Sequence, residues 1–155
     1  MVSLSKICLK PIGFVRTELT EDKLRRRRFD SQIVINKEHE QALEGIETFS
    51  HLNVMFWMHG ISPAERRIQR ARPRGRRDMP LVGVFATRAP HRPNPIGLTL
   101  VKLLERRGNV LKVKGLDALD GSPVLDLKPY DHLDREKRIR VPQWWVRLER
   151  TRTAR

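Results

Sequence analysis

Alternation of apolar and polar positions along the chain predicts many short β-strands and few helices. Gly108-Asn109 and Asp120-Gly121 supply turns between such segments. Successive strands with no helix between them favour a mainly antiparallel sheet curled into a barrel. We therefore expect a mainly β fold, a single-domain antiparallel β-barrel with a few short helices. The predicted strands are residues 12–17, 32–35, 51–58, 81–86, 98–105, 110–116 and 124–128.

Two segments have a helical pattern. Residues 38–43 can form a short helix that Gly45 ends, since glycine readily takes the left-handed conformation after a helix. The tail from Pro142 onward can form a second helix. Its apolar face would carry Trp144, Trp145 and Leu148, and its outer face Arg147, Arg150 and Arg152.

The segment from Ser62 to Pro80 breaks the strand pattern. It contains three prolines and seven arginines, which makes it too basic and too polar to join a core. We expect a mobile loop or an arm that orders on a polyanion. A second exposed basic segment, Arg25 to Arg28, joins the first two strands. The arginines of the loop that we assign to substrate binding are Arg70, Arg72, Arg74 and Arg76.

Composition adds the class of partner. The chain has 155 residues, which is typical of one domain, and a net charge of +14 from 32 basic and 18 acidic side chains. Most of the basic residues are arginines, whose planar fork grips phosphate in two places. Nucleic acid is therefore the leading partner class. A membrane surface is a distant second, because no stretch is long and apolar enough to span a bilayer.

The single cysteine, Cys8, cannot form an intrachain disulfide and is expected to be a small core residue. Residues 1–10 lack the long apolar run of a signal peptide, so we expect a cytoplasmic protein. We treat residues 1–155 as one domain, with a core of about 8–131 and a basic C-terminal extension, 132–155.

The densest chemical signal lies between Gly83 and Leu98, where a strand runs into a loop with three prolines. Such a loop holds side chains in fixed positions before a ligand arrives. The alternative interpretation is a stiff connector whose polar residues face water. The side chains that project from this loop are Arg88, His91, Arg92 and Asn94.

A second signal lies between Gly115 and Asp131. Asp-Gly followed by Ser-Pro is first of all a turn, but Asp117, Asp120, Asp126 and Asp131 stand out in a chain with few acids. A carboxylate at a strand end can hold a cationic ligand or accept a proton. We expect no metal site, because the histidines show no ligand spacing. A Rossmann-type methyltransferase is disfavoured because no glycine-rich phosphate loop is present.

The stretch Gly-Val-Phe-Ala-Thr-Arg-Ala-Pro-His-Arg-Pro-Asn-Pro-Ile-Gly, residues 83–97, resembles the TsaA-like family of tRNA adenine-N6 methyltransferases, also called TrmO. Every fixed position of the family pattern G-V-F-A-T-R-x-x-x-R-P-N-P-I-G is present. The resemblance extends to residues 11–17, 45–52 and 120–130 and covers most of 11–131.

The resemblance implies a non-Rossmann β-barrel that binds S-adenosyl-L-methionine near the interface of a homodimer. The implied substrate is threonylcarbamoyladenosine at position 37 in the anticodon stem-loop of tRNA, methylated on N6; neither a membrane nor DNA is expected as a partner. The chain departs from the family in having Leu24 and four arginines where Pro-Arg-Gln is common, Asn53 for Trp and Ser122 for Thr. The cofactor positions implied are His59, Gly60, Arg88, Leu98, Asp120, Gly121, Ser122 and Pro123, together with Arg26 and Arg27.

The reaction requires that N6 be held in line with the methyl group and lose a proton. Our hypothesis is that the Asn94 side-chain carbonyl and the Pro95 backbone carbonyl accept hydrogen bonds from the amine. Arg92 and His91 would fix the groups around it, Asp120 would hold the cofactor, and Tyr130 would stack on a base or pack in the core. Two alternatives stay open, a non-catalytic RNA-binding barrel and an enzyme that cleaves S-adenosylmethionine.

Overall fold

The computed structural model describes residues 6–153, with side chains up to Thr151 in the last helix. Residues 1–5 and 154–155, and the predicted outward position of the Arg152 side chain, lie outside the described part. The described residues form two compact units. The barrel unit contains residues 6–61 and 95–130, and the arginine-rich unit contains residues 62–94 and 131–153. That the whole chain is one domain stays a prediction.

The barrel unit is a closed antiparallel barrel of six strands, which confirms the predicted fold class. One short helix, α1, and two 3₁₀ segments, Lys37–Leu43 and Ile46–Thr48, accompany it. The strands are β1 (Gly13–Arg16), β2 (Asp30–Ile35), β3 (His51–Trp57), β6 (Ile96–Arg107), β7 (Val110–Lys114) and β8 (Pro123–Pro129), and α1 is Glu21–Arg25. Around the barrel the strands follow the order β1-β2-β7-β6-β3-β8.

Strict alternation of side chains places every second residue of the strands inside the barrel. In β1 the buried residues are Gly13 and Val15, and β2, β3 and β7 show the same period of two. The core cluster of the barrel consists of apolar side chains, whose packing excludes water and fixes the register. The core is Val15, Ile33, Ile35, Leu43, Leu52, Val54, Phe56, Val101, Leu103, Leu111, Val113, Leu116, Ala118 and Val124.

Gly97 permits close packing of two strands in the barrel. It pairs with Phe56 across the β3–β6 ladder, and a Cβ added at Gly97 would lie only 2.3 to 2.7 Å from three atoms of the Phe56 ring. No other residue fits over this ring without displacing it. The glycine of the Pro-Ile-Gly motif, Gly97, is therefore required for steric reasons at the start of β6.

The arginine-rich unit contains the two-residue strands β4 (Arg70–Ala71) and β5 (Val82–Gly83), which pair antiparallel, and the helix α2 (Gln143–Thr153). Three short 3₁₀ turns lie at Glu65–Arg67, Pro73–Gly75 and Val84–Ala86, and a fourth at His132–Asp134. Among residues 6–153, no helix has the length and apolar character that a bilayer-spanning helix needs.

Three expectations from the sequence were wrong. Cys8 is exposed rather than part of the core. The strand predicted at 81–86 ends after Gly83, because the backbone N–H and hydroxyl of Thr87 both donate to the Val84 carbonyl and close a turn. Residues 62–80 form defined turns and the strand β4, which pairs with β5, rather than an arm, and Pro73 and Met79 are buried.

Candidate functional site

The turn before β8 is tied to β1 by backbone hydrogen bonds. Gly121, in the left-handed conformation at φ 73°, donates its N–H to the Val15 carbonyl, and the Val15 N–H donates to the Ser122 carbonyl. Both bonds measure 2.8 to 2.9 Å. Glycine suits this position because a side chain disfavours positive φ. The turn is therefore a rigid platform at the rim of the barrel.

Asp120 is the first residue of this turn, and His59 contacts the turn from a distant part of the chain. One oxygen of the exposed Asp120 carboxylate accepts the Thr17 N–H at 2.9 Å, while the other accepts no hydrogen bond from a described residue. The buried Ser122 hydroxyl lies 3.3 Å from His59 Nδ1. The structure thus brings together His59, Gly60 and the turn 120–123, which the sequence separates by about 60 residues.

Arg27 lies at a different point of the barrel unit. It donates through Nε at 3.0 Å and through Nη2 to the same oxygen of Asp117, whose other oxygen accepts the hydroxyl of the buried Thr99. Arg27 has a positive φ of 51°, and its carbonyl lies close to Gly115. Arg26 is exposed. Asp117 therefore holds the basic segment 25–28 to the barrel, a role that the sequence pattern did not reveal.

In the arginine-rich unit, Arg92 holds the proline-rich loop together. Its guanidinium donates to the backbone carbonyls of Ala89 at 3.0 Å, Thr87 at 2.8 Å and Val84 at 3.2 Å. Three carbonyls on one planar cation fix the loop conformation more strongly than a neutral donor could. Its contribution to catalysis stays a prediction, and the geometry favours a positioning role.

His91 contacts Glu65 in the same unit. Its buried Nδ1 lies 3.4 Å from Glu65 Oε1 but has no hydrogen-bond partner among the described residues. Glu65 Oε2 accepts the backbone N–H and the hydroxyl of Ser62 at 2.8 and 2.7 Å. These donors, the backbone N–H first, lower the pKa of Glu65 below its ordinary value. The carboxylate therefore carries its negative charge beside the imidazole.

Arg88 and Asn94 are exposed. No described residue forms a hydrogen bond with the Asn94 side chain, so the bond to its own backbone that a turn-capping asparagine would make is absent. The neighbouring Pro95 carbonyl accepts the Met58 N–H at 2.8 Å, which uses one of its two lone pairs. The Asn94 amide is therefore available to a ligand.

The four loop arginines assigned to the substrate direct their guanidiniums at the protein itself. Arg70 donates to the Leu81 carbonyl, Arg72 to Met79 and Arg74 to Leu148, while Arg76 forms a bidentate pair with Asp78. RNA contact by these four stays a prediction.

The outer face of β6 is apolar at its start. Ile96, Leu98 and Leu100 alternate along it, with Leu98 49% and Leu100 42% exposed. Trp57 lies opposite Ile96 and Met55 opposite Leu98 on β3. Apolar residues at both odd and even positions of a strand predict that both of its faces are buried against other groups. This pattern in the sequence could have indicated the apolar outer surface of β6. We call these five residues the apolar outer face.

The fold class has solved counterparts. The chain superposes on the crystal structure of TrmO from Pseudomonas aeruginosa with a TM-score of 0.69 and 32% sequence identity, over 87% of this chain and 61% of that one. Fold and site thus define a closed antiparallel barrel protein of the TrmO type. The chain spans about three fifths of the length of that solved protein.

The profile of the tRNA-methyltransferase O N-terminal domain matches residues 19–134, and the chain belongs to this family. A probable S-adenosyl-L-methionine-binding protein of Methanothermobacter thermautotrophicus is 49% identical over 130 residues, 81% of this chain and 90% of that protein. The human tRNA (adenine(37)-N6)-methyltransferase is 43% identical over 105 residues, 66% of this chain and 22% of that protein.

Proposed function

We propose that the protein uses S-adenosylmethionine to methylate N6 of the adenosine at position 37 of tRNA, in its threonylcarbamoylated form. The observation that carries the proposal is the rigid turn in which Asp120, Ser122 and His59 come together. The names of the archaeal and human relatives support the cofactor and the reaction. A cytoplasmic location stays a prediction.

The chemistry of the turn fits this cofactor. S-adenosylmethionine carries ribose hydroxyls, an ammonium group and a sulfonium cation, all of which a carboxylate attracts. The Asp120 oxygen that Thr17 leaves unused offers that acceptor. A Cβ added at Gly121 would meet nothing within 4 Å, and one added at Gly60 would meet only Leu119 at 3.8 Å, so both glycines leave room for a ligand against the backbone. The family resemblance also implies Leu98 and Arg88 as cofactor-binding residues.

The remaining task is to activate a weak nucleophile, because the N6 lone pair of threonylcarbamoyladenosine is delocalised into both the adenine ring and the carbamoyl carbonyl. The bound cofactor supplies a methyl group on a sulfonium that is already activated. The Asn94 carbonyl accepts a hydrogen bond from N6–H and helps localise the lone pair on nitrogen, and Arg92 keeps the loop that carries Asn94 in one conformation. When N6 gains the methyl group it loses this hydrogen as a proton, which passes to solvent because an amide carbonyl is too weak a base to retain it. Tyr130, half-buried and 6.5 Å from the His51 ring, stacks on a neighbouring base.

Two measurements on the purified chain test the function. Titration calorimetry with S-adenosylmethionine is expected to show saturable heat at one site per chain. Nucleoside analysis after incubation with threonylcarbamoylated tRNA is expected to show one added methyl group on position 37, and none on tRNA that lacks the modification. Cofactor binding without transfer to either tRNA would instead indicate a binding protein. Conversion of the cofactor without RNA would indicate a cleaving enzyme.

We further propose that two copies pair through the apolar outer face. Contiguous exposed apolar side chains on a barrel are costly in water and mark interaction surfaces. The face includes Leu98, which the family resemblance places at the cofactor. If the cofactor lies near the subunit interface, as the resemblance implies, the cofactor site and the interface are expected to share residues. Trp144 and Trp145 are not part of this face: they belong to α2 and are half-buried in an edge-on contact.

Leu100→Glu is expected to convert the dimer to a monomer, because it places a charge within a buried apolar contact. Light scattering at micromolar concentration measures the mass directly. Phe49→Glu is the matched control, since Phe49 is 40% exposed in the same unit but lies outside the apolar outer face. A wild-type monomer, or equal effects of the two substitutions, would contradict this interface.

A further inference from the structure

The two units differ greatly in charge. Over the described residues, the arginine-rich unit has sixteen basic and six acidic side chains, a net charge of +10. The barrel unit has fifteen basic and twelve acidic side chains, a net charge of +3. Fifteen of the sixteen basic residues in the arginine-rich unit are arginines. A polyanionic partner is therefore attracted mainly to this unit.

Two of these arginines use their guanidiniums for hydrogen bonds within the unit. Arg74 Nη1 donates to the Leu148 carbonyl at 3.2 Å, and Arg76 Nη1 donates to the Thr151 hydroxyl at 2.9 Å. Both acceptors lie in α2, whose Leu148 side chain is buried. Arg76 also binds Asp78 bidentately, and its hydrogen bonds lower the pKa of Asp78 below its ordinary value. Arg74 and Arg76 thus clamp α2 to the loop of residues 72–79.

Other cations of the same unit face solvent. The side chains of Arg77, Arg138 and Arg140 are exposed and form no hydrogen bond or ion pair with a described residue. Arg147 is exposed on α2, near enough to Asp78 to lower its pKa further. The whole segment 131–143, which leads into α2, is exposed. We call Arg77, Arg138, Arg140 and Arg147 the outer cations.

We propose that the outer cations bind the phosphate backbone of the RNA, and that Arg74 and Arg76, instead of contacting the RNA themselves, hold α2 with Arg147 against the loop that carries Arg77. The inference rests on the proposed function for the identity of the polyanion. Arginine with little lysine favours phosphate, because the guanidinium can pair with two phosphate oxygens at once. Backbone contacts of this kind fix the position of an RNA but do not read its sequence.

The test is the salt dependence of binding of a synthetic anticodon stem-loop RNA to the full chain. Alanine at all four outer cations is expected to weaken binding more than tenfold at about 0.1 M salt. It should also reduce the slope of log affinity against log salt by about 3, since each phosphate contact contributes about 0.7 to 0.9. Alanine at Lys102, Arg107, Lys112 and Lys114, four exposed cations of the barrel unit, removes the same charge and should leave the slope nearly unchanged.

A charge-conserving variant separates the clamp from the contact. Arg74→Lys with Arg76→Lys keeps the net charge but removes the planar fork. A clamp predicts that the melting temperature falls by about 2–4 °C and that RNA binding weakens severalfold, whereas a direct phosphate contact predicts an unchanged melting temperature.

Equal salt slopes for the two alanine sets, or an unchanged melting temperature of the double lysine variant, would overturn this inference. The proposed function would still stand if the wild-type chain bound and methylated its tRNA. A wild-type chain that binds no RNA would overturn both.

Discussion

Replacing Asn94 with alanine is expected to lower the single-turnover rate of methyl transfer by about a hundredfold, the typical cost of losing one preorganised electrostatic partner. The amine donates more strongly as it becomes cationic, so the Asn94 carbonyl stabilises the transition state more than the bound substrate. Binding of cofactor and tRNA should therefore change little. The measurement is methyl transfer at saturating cofactor and tRNA, in one turnover.

The melting temperature of Asn94→Ala should equal that of the wild type, because the side chain makes no hydrogen bond to a described residue. Asn94→Asp retains an oxygen acceptor and should keep more of the rate than alanine does. A near-normal rate of the alanine variant would eliminate Asn94 as the partner of the amine and move that role to Asp120 or a backbone carbonyl. A lower melting temperature with weaker cofactor binding would instead make Asn94 a structural residue of the loop.

Asp120→Asn should weaken binding of S-adenosylmethionine by about ten- to a hundredfold, because a hydrogen bond to a charged group contributes about 1.5–3 kcal/mol. Asparagine keeps the oxygen that accepts the Thr17 N–H, so the turn and the melting temperature should be preserved. Calorimetric titration with the cofactor measures the loss of affinity.

Asp126→Asn serves as the matched control for this change. Asp126 lies on β8 and forms an ion pair with Lys128 at 2.9 Å, so the control removes the same charge from the same unit. It should bind the cofactor as the wild type does. If Asp120→Asn also bound like the wild type, Asp120 would be limited to building the turn, and the cofactor would depend on other contacts.

The barrel could be predicted because its strands carry their burial pattern in the sequence. Val15, Ile33 and Val54 each sit at the buried parity of a strand, and alternation of period two marks that parity directly. The prediction of residues 98–105 underestimated the length of β6, which spans Ile96–Arg107. Apolar residues occupy both faces of this strand, so the alternation of period two is hard to recognise in its sequence. The short turns at Gly108 and Gly121 could be predicted from their glycines. Both glycines have a positive φ in the structure, a conformation in which other residues are strained.

The arginine-rich unit could not be predicted from composition. Seven arginines in 62–80 indicate exposure, but an arginine can satisfy its donors on backbone carbonyls while its stem packs. The acceptors for Arg74 and Arg76 lie more than 70 residues away in α2. No local pattern encodes a partner at that distance, so the segment looked like a free loop.

The candidate site was predictable only in part. Its members were assigned through the motif resemblance, and the contact of His59 with Ser122 joins two of them. The tie between Arg27 and Asp117 was missed, because the positive φ of a non-glycine residue leaves no trace in a single sequence. The engagement of Arg92 with three carbonyls was also invisible, since a conformation and not a residue type creates it.

The clamp between the loop and α2 has a consequence for the order of folding. Arg74 and Leu148 are 74 residues apart, and the chain between them includes β6, β7 and β8. At synthesis rates of about 5–20 residues per second, the loop leaves the ribosome several seconds before its helix exists. Completion of the arginine-rich unit is thus a late step, because α2, which accepts the hydrogen bonds of Arg74 and Arg76, is synthesised after every strand of the barrel.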